Sequence, residues 1–498
     1  MALTSEAQVR KRRARKSGRG YDGAMTLDPD TAYQALLSRD RRFDGRLFVG
    51  VRTTGIYCRP ICRVRAPKAS SCQFYETAAA AEAAGFRPCL RCRPELAPGV
   101  SLIDSPNALA AAAARMLDAG AGQDGLAEIA GRTGVGERHL RRVFHAHFGV
   151  TPIAYAQSRR LLLAKRLLTE TDLPIAELAL LAGFGSLRRF NALFRSRYRL
   201  TPTDLRRQRS SLQAASMLTL SLDYRPPFDW DSLLAFFAAR AVPQVEQVER
   251  DCYRRCVRGF SPASPGGWIE VRHDAGNPRL RLTISDSLRA DLLPLLAGVR
   301  RQFDLDCDPD RVAAALGDLA APRPGLRLPG ALDGFEQAVR AILGQQVSVA
   351  AATTLAGRLA QQHGTPIATP HAGLSRLFPT AAEVARLATD DLTALGILAT
   401  RARSILALAE SVASGSLRLD ADASVERTRE QLVALPGIGE WTAQYIALRC
   451  LSWPDAFPHT DLIVRRAFPG LTPQQILAAS ERWRPWRGYA TLHLWRQS

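Results

Sequence analysis

Apolar positions change their spacing several times along the chain, and each change predicts a different kind of element. Short apolar or alternating runs predict β-strands over 218–222, 268–271 and 280–284. Between 104 and 208 the spacing is that of short amphipathic helices with glycine-centred turns, and a helical period returns from about 288. These shifts divide the chain into segments 1–24, 25–98, 104–208, 216–290 and 291–498.

The charge of the chain is strongly positive and indicates a polyanionic partner. Lysine and arginine number 67 against 47 aspartates and glutamates, which gives a net charge of +20. Because the excess is arginine spread over all segments, we expect nucleic acid; colloidal solubility is the alternative. The sequence has no apolar run of about 18 residues, so we predict no membrane span. The basic run 11–16 is followed by no apolar stretch, and we predict that 1–24 is a disordered basic arm, or an upstream extension if translation begins at Met25.

Five of the nine cysteines lie close together, among short strand-like runs such as 46–51. The odd count and this clustering argue against a disulfide scaffold and for a reducing compartment, so we predict a cytoplasmic protein. Two short-spaced pairs suit one tetrahedral zinc ion, because thiolates are soft ligands. On spacing alone, a zinc ribbon that only holds the fold is the alternative. The four predicted ligands are Cys58, Cys62, Cys89 and Cys92.

The sequence around these cysteines resembles the N-terminal domain of the Ada methylphosphotriester-repair proteins. The matching segments are 51–62, VRTTGIYCRPIC, and 85–92, GFRPCLRC. The resemblance implies that Cys58 is both a zinc ligand and the nucleophile that irreversibly accepts a methyl group, while the other three cysteines complete the zinc shell. It also implies that three positions contact the DNA backbone, for which solvated surface is the alternative; they are Thr54, Arg65 and Arg87.

Two helix–turn–helix units follow, over 127–144 and 175–194. In each, apolar residues hold two helices at a fixed angle and arginines project from the second helix. Similar tails follow them, FGVTP at 148–152 and YRLTP at 198–202. A basic helical hairpin is the alternative for either unit alone, but the tandem pair resembles an AraC-type DNA-binding domain. The candidates for groove and phosphate contacts are Arg138, His139, Arg141, Arg142, Ser186, Arg188, Arg189 and Asn191.

The C-terminal half contains LPGIG at 435–439 between two helical runs, which predicts a helix-hairpin-helix. Asp461 follows 22 residues after Gly439. From about 218 to the C-terminus the chain resembles AlkA-type 3-methyladenine DNA glycosylases, and the likeness includes ILGQQVSV at 342–349 and FPGLTP at 468–473.

The resemblance implies a monofunctional enzyme that flips an alkylated base from the DNA stack. Asp461 would be the catalytic carboxylate, and Gln346 would fill the gap left by the flipped base. Bifunctional relatives have a lysine where this chain has Trp441. Gly437 and Gly439 would approach a DNA phosphate, with a monovalent cation as a further candidate ligand there. The residues implied for the base pocket, each of which has ordinary core packing as its alternative, are Trp441, Tyr445 and Trp495.

Together these patterns predict a multidomain α+β protein. Its parts would be a zinc-bound α/β domain, an all-α double helix-turn-helix, a small β-rich subdomain and an all-α helix-hairpin-helix glycosylase domain. We predict that it is a monomer that binds double-stranded DNA at alkylated sites and at promoters, with RNA polymerase as a candidate partner. Two alternatives are a transcription regulator with an inactive glycosylase half, and a glycosylase whose front half is only a zinc-stabilised clamp.

Overall fold

The computed structural model describes residues 27–99, 108–122, 125–207, 217–261 and 264–497. The predicted basic arm over 1–24 lies outside these residues. Within them, no helix is long and apolar enough to cross a membrane. The described part of the chain consists of several packed units of helices and antiparallel or mixed sheets, which confirms the predicted fold class.

The N-terminal unit is a four-stranded sheet in the order β3-β1-β2-β4, with β1 antiparallel to both neighbours and β2 parallel to β4. A Cβ at Gly50 in β1 would lie 2.9 Å from the Phe86 ring, so this close approach requires glycine. Asp28 caps the first helix by accepting a hydrogen bond from the Thr31 backbone N–H. The elements are α1 Pro29–Leu37, β1 Phe48–Val51, β2 Ile56–Cys58, β3 Cys72–Tyr75, α2 Ala78–Ala83 and β4 Arg87–Pro88.

Seven helices occur over the described residues 108–122 and 125–207: α4 and α5 form the first helix–turn–helix unit, α7 and α8 form the second, and the long helix α6 joins one unit to the other. Gly134 ends α4 with φ +72°, a left-handed conformation that suits glycine. Buried Leu140 and Phe144 hold the first unit, and buried Phe190 and Phe194 hold the second. The helices are α3 Ala108–Asp118, α4 Ala127–Thr133, α5 Glu137–Phe148, α6 Pro152–Glu170, α7 Ile175–Leu181, α8 Leu187–Tyr198 and α9 Pro202–Arg207.

A five-stranded antiparallel sheet follows, in the order β5-β9-β8-β7-β6. Alternate residues such as Leu220 and Leu222 are buried, as the alternation of the sequence predicts. One continuous core contains residues of α6–α9, this sheet and α11, so the second helix–turn–helix unit and the sheet are packed together. The elements are β5 Leu218–Asp223, α10 Trp230–Ala238, β6 Glu246–Glu249, β7 Cys252–Val257, β8 Gly267–Asp274, β9 Arg279–Ile284 and α11 Leu292–Gln302.

The rest of the described chain is helical apart from one two-stranded ribbon. Its helices surround two apolar clusters, one centred on α13, α17 and α19 and the other on α12 and α22. The elements are α12 Pro309–Leu316, α13 Gly334–Leu343, α14 Val349–His363, β10 Thr365–Pro366, β11 Arg376–Leu377, α15 Ala381–Val384, α16 Thr389–Thr393, α17 Ala399–Ala413, α18 Val425–Val433, α19 Glu440–Arg449, α20 Leu462–Arg466, α21 Pro473–Ala479 and α22 Arg487–Gln497.

Buried arginines join the N-terminal unit to the C-terminal half. Arg225 is 1% exposed, and its guanidinium donates to the backbone carbonyls of Asp44 and Asp306, both at 2.9 Å. Arg59 donates to the carboxylate of Asp44 at 2.8 Å and to that of Asp223, in β5, at 3.2 Å. Because these groups are buried, each depends on its partner, and the N-terminal unit and the five-stranded sheet hold one another in place.

Candidate functional sites

Four sulfur atoms converge at one edge of the N-terminal sheet. Cys58 is the last residue of β2, and Cys89 follows β4 directly. Since β2 and β4 run parallel, the chain leaves both strands at the same edge. Short turns then bring Cys62 and Cys92 back to the first two cysteines, and the four sulfurs all lie within 4.8 Å of one another.

This donor set fits one zinc ion. Sulfurs around a tetrahedral zinc, at Zn–S distances of about 2.3 Å, are about 3.8 Å apart. Separations within 4.8 Å therefore need only a small contraction. Hydrogen bonds, first from Cys58 and then from Cys62 and Cys92, lower the pKa of Cys89, whereas hydrogen bonds, first from Cys62 and then from Cys89 and Cys92, raise the pKa of Cys58. The protein groups by themselves therefore favour a thiolate at Cys89 and a thiol at Cys58. The geometry supports the predicted four-cysteine zinc site.

A small apolar cavity of about 40 Å³ adjoins two of these cysteines, Cys58 and Cys62. Leucine and valine side chains from α1, β1 and the segment after the second cysteine line it.

The three predicted contacts to the DNA backbone lie on the same unit. Thr54 and Arg65 are exposed, whereas Arg87 is half-buried.

Both predicted recognition helices present their polar residues to solvent. In α5 and α8 the buried aromatic and leucine residues are four positions apart, so each helix has one core face and one polar face. On α5, Arg141 pairs with Glu137 at 2.6 Å, a surface contact of small energy. The predicted contact residues are all exposed; they are Arg138, His139, Arg141, Arg142, Ser186, Arg188, Arg189 and Asn191.

The carboxylate of Asp461 lies between two indole rings. Trp441 Nε1 donates to Oδ2 at 2.9 Å, and Trp495 Nε1 donates to Oδ1 at 3.1 Å. Asp461 is also the N-cap of α20, where Oδ1 accepts from the backbone N–H groups of Ile463 at 2.9 Å and Val464 at 3.2 Å. These four donors hold the half-buried carboxylate in one orientation.

Three aromatic side chains form a wall beside this carboxylate. Trp441 and Tyr445, one turn apart on α19, stack with ring centroids 5.5 Å apart and planes at 8°. Trp495 lies 6.1 Å from Tyr445 at 44°. The faces of electron-rich rings attract flat cationic groups. The structure therefore brings together Asp461 and all three residues predicted for the base pocket.

Arginines around the Tyr445 hydroxyl were not predicted from the sequence. Arg449 Nη1 donates to Tyr445 Oη at 2.9 Å, and the Arg240 guanidinium lies 3.8 Å from the Phe236 ring centroid. Burial raises the pKa of Tyr445, but the charges of Arg449 and Arg240 outweigh it, so the pKa falls below the usual value. The spacing of Tyr445 and Arg449 on one helix face is a signal for their contact. No local signal relates Arg240 to this wall, because it lies in a distant segment.

The predicted hairpin joins α18 to α19 and lies at the surface. Gly437 has φ +74°, and a Cβ there would lie 2.3 Å from Ser404 Oγ, so glycine is required. Gly439 is the N-cap of α19 and leaves the first amides of that helix without a side-chain cap. Gln346 is exposed in the loop after α13 and has φ +54°.

Four family models match successive parts of the chain. The metal binding domain of Ada matches residues 31–95, and a helix-turn-helix domain matches residues 129–208. The AlkA N-terminal domain matches residues 219–333, and the HhH-GPD superfamily of base excision DNA repair proteins matches residues 339–479.

Three relatives show how these parts occur in other proteins. A probable bifunctional transcriptional activator/DNA repair enzyme AlkA from Mycobacterium tuberculosis is 42% identical over 488 residues, covering 95% of this chain and 97% of the relative. DNA-3-methyladenine glycosylase 2 from Escherichia coli is 42% identical and covers 55% of this chain and 96% of the relative. The bifunctional transcriptional activator/DNA repair enzyme Ada from Escherichia coli is 39% identical over 28% of this chain and 38% of the relative.

Proposed function

Because the chain belongs to the family of bifunctional transcriptional activator/DNA repair proteins that join Ada-type and AlkA-type domains, we propose two chemical activities for it. The C-terminal half hydrolyses the N-glycosidic bond of alkylated bases such as 3-methyladenine and 7-methylguanine. The zinc unit accepts methyl groups from methylphosphotriesters in DNA. The helix–turn–helix units bind promoter DNA.

The single observation that carries the glycosylase activity is the Asp461 carboxylate held by two indole N–H groups beside an aromatic wall. An alkylated purine is cationic, so it stacks favourably on the wall and leaves readily as a neutral base. The bond from the sugar C1′ to nitrogen breaks with its electrons going to the purine, and positive charge develops on the sugar. Asp461 stabilises that charge and takes the proton of the water that attacks C1′.

The reaction stops at the abasic site. Trp441 lies where a bifunctional enzyme would need an amine to form a Schiff base with the sugar, and its indole nitrogen is instead a donor to Asp461. Gln346 enters the gap left by the flipped base. The amides that follow Gly437 and Gly439 bind a DNA phosphate. The hairpin 435–439 would also be the place for a monovalent cation, which would supply further positive charge for that phosphate.

Release of free bases from methylated duplex DNA tests this activity. We expect Asp461→Asn to slow excision of 3-methyladenine by about 10²–10³-fold, since it removes the charge and keeps the shape. Asp390→Asn, at an exposed carboxylate in the first turn of α16, is the matched control and should behave as wild type. Equal release by wild type and Asp461→Asn would refute the catalytic role. No release by wild type would favour the alternative, a regulator with an inactive glycosylase half.

The convergence of four cysteine sulfurs supports the second activity. When bound, zinc keeps the four sulfurs deprotonated. The Cys58 thiolate attacks the methyl carbon of the phosphotriester, the carbon–oxygen bond breaks, and the phosphodiester leaves with the electron pair. The thioether that forms is not turned over. Loss of one thiolate charge reduces repulsion of DNA phosphates, so promoter binding tightens.

Peptide mass spectrometry after incubation with methylated DNA tests the methyl transfer. We expect one added methyl group, on Cys58, and none on Cys72, the fifth cysteine of this unit. A chain that remains unmethylated while it still releases bases would be a glycosylase with a zinc-stabilised clamp. Two further proposals are that the chain acts as a cytoplasmic monomer and that it activates transcription through RNA polymerase.

A further inference from the structure

We propose that Gln345 is a positioning residue that holds the loop carrying Gln346 in register with hairpin 435–439 and the start of α19. The proposal rests on the glycosylase function above. It concerns Gln345, which has been given no role above. Gln345 precedes Gln346, the wedge residue that is predicted to fill the gap left by the flipped base.

The side-chain amide of Gln345 bridges two elements that sequence separates widely. Its Nε2 donates to the backbone carbonyl of Gly437 at 3.0 Å and to Thr442 Oγ1 at 2.9 Å. A carbonyl only accepts hydrogen bonds, so the nitrogen of the amide must face it. Both hydrogens of that nitrogen are then used, one on the hairpin and one on the first turn of α19.

The backbone of the same loop is held by a helix that also supports the hairpin. Arg401, which is buried on α17, donates to the carbonyl oxygen of Gln345. One turn later on α17, Ser404 lies against Gly437, close enough that a Cβ on that glycine would be 2.3 Å from its Oγ. The loop and the hairpin therefore share one support, and Gln345 connects them directly.

Beyond Gln345 the loop is exposed, and Gln346 has a left-handed backbone, φ +54°, which is uncommon for a residue other than glycine. Such a conformation persists where the surroundings hold it. The hydrogen bonds of Gln345, the adjacent residue, keep the backbone of Gln346 in this conformation. Since α19 also carries Trp441 and Tyr445, Gln345 determines where the wedge stands relative to the aromatic wall that receives the base.

Substitution of Gln345 by methionine tests the inference, because it removes both donors without adding charge. The assay is single-turnover excision of 3-methyladenine at saturating enzyme, together with binding of undamaged duplex and 2-aminopurine fluorescence as a reporter of base flipping. We expect excision to slow by roughly 10–100-fold, with a matching loss of the flipping signal. Affinity for undamaged duplex should change by less than about threefold, because phosphate contacts supply that affinity.

Two companion variants sharpen the measurement. Thr442→Val keeps the shape of the buried Thr442 side chain but removes one acceptor, and it should slow excision by about 3–10-fold. Gln431→Met is the matched control: Gln431 also donates from Nε2 to a carbonyl, that of Ser416 at 2.8 Å, but on α18 and away from the loop. Its excision rate should stay within about twofold of wild type.

A double-variant cycle separates positioning from a general effect on folding. If Gln345 acts by placing the neighbouring side chain, Gln345→Met should slow the Gln346→Gly background by less than about threefold. Independent, multiplicative effects would overturn the proposal, as would a Gln345→Met enzyme that excises at the wild-type rate. If Gln345→Met unfolds, the same cycle is run with Thr442→Val. Failure of wild type to excise would instead refute the proposed function itself.

Discussion

Replacement of Trp441 by phenylalanine isolates the hydrogen bond from the aromatic wall. The indole Nε1 of Trp441 donates to Asp461 Oδ2 at 2.9 Å, and this is the contact that the substitution removes. Phenylalanine retains a flat ring beside Tyr445, with which the indole stacks at a centroid distance of 5.5 Å. The variant therefore tests whether the carboxylate must be held by the indole.

A hydrogen bond to a charged group contributes about 1.5–3 kcal/mol, and each 1.4 kcal/mol is a factor of ten in rate or equilibrium. Complete loss of that contribution in the transition state would slow excision by about 10–150-fold. Trp495 and two backbone amides still donate to Oδ1, so the carboxylate keeps three of its four donors. We therefore expect the lower part of the range, about 10–30-fold.

Single-turnover excision of 3-methyladenine measures the effect free of product release. Trp453→Phe is the matched control, because Trp453 is a half-buried tryptophan of the same half whose ring faces Arg429 at 5.7 Å. The same substitution is then made in the Asp461→Asn background. If Trp441 acts through the carboxylate, phenylalanine should add little there.

Two results would refute the reasoning. One is a Trp441→Phe rate within twofold of wild type, which would mean that the indole N–H does not hold the carboxylate in the transition state. The other is a full loss that persists in the Asp461→Asn background, which would assign the effect to stacking of the base alone.

Three further predictions concern stability. Arg225→Met removes the donor to the buried carbonyl of Asp44 and to the part-buried carbonyls of Gly99 and Asp306. We therefore expect a loss of about 3–6 kcal/mol in the free energy of unfolding, measured as a lower midpoint in urea, against less than about 1 kcal/mol for Arg272→Met at a partly exposed ion pair. Burial raises the pKa of Glu82 to about 7, whereas the pKa of a glutamate in the unfolded chain is about 4.3. The neutral carboxyl therefore stabilises the folded state fully below about pH 4.3, and this stabilisation is lost as the pH rises through about 7. Glu82→Gln should therefore raise the unfolding temperature at pH 8 and leave it nearly unchanged at pH 5; an increase at both would contradict the assignment. Removal of zinc by a chelator should unfold the N-terminal unit, and circular dichroism measures this loss of structure. Cys62→Ser should cause the same loss of structure, and Cys72→Ser should not.

Local spacing was sufficient to predict several parts of the molecule. The two cysteine pairs could be read from the sequence because each pair lies within one turn of the chain. The same holds for the glycines of the hairpin and for the arginines of α5 and α8, whose positions follow from helical periodicity. The resemblance to known families added Asp461 and the aromatic residues, which the structure places in mutual contact.

What the sequence by itself determined is therefore the identity of the chemical groups and the short elements that carry them. Tertiary structure alone decided which distant groups meet: Arg240 near Tyr445, Gln345 on Gly437, and Arg59 between the zinc unit and Asp223. The physical reason is that such contacts depend on how helices and sheets pack over long stretches of chain. Packing brings together residues whose separation in sequence leaves no periodic trace.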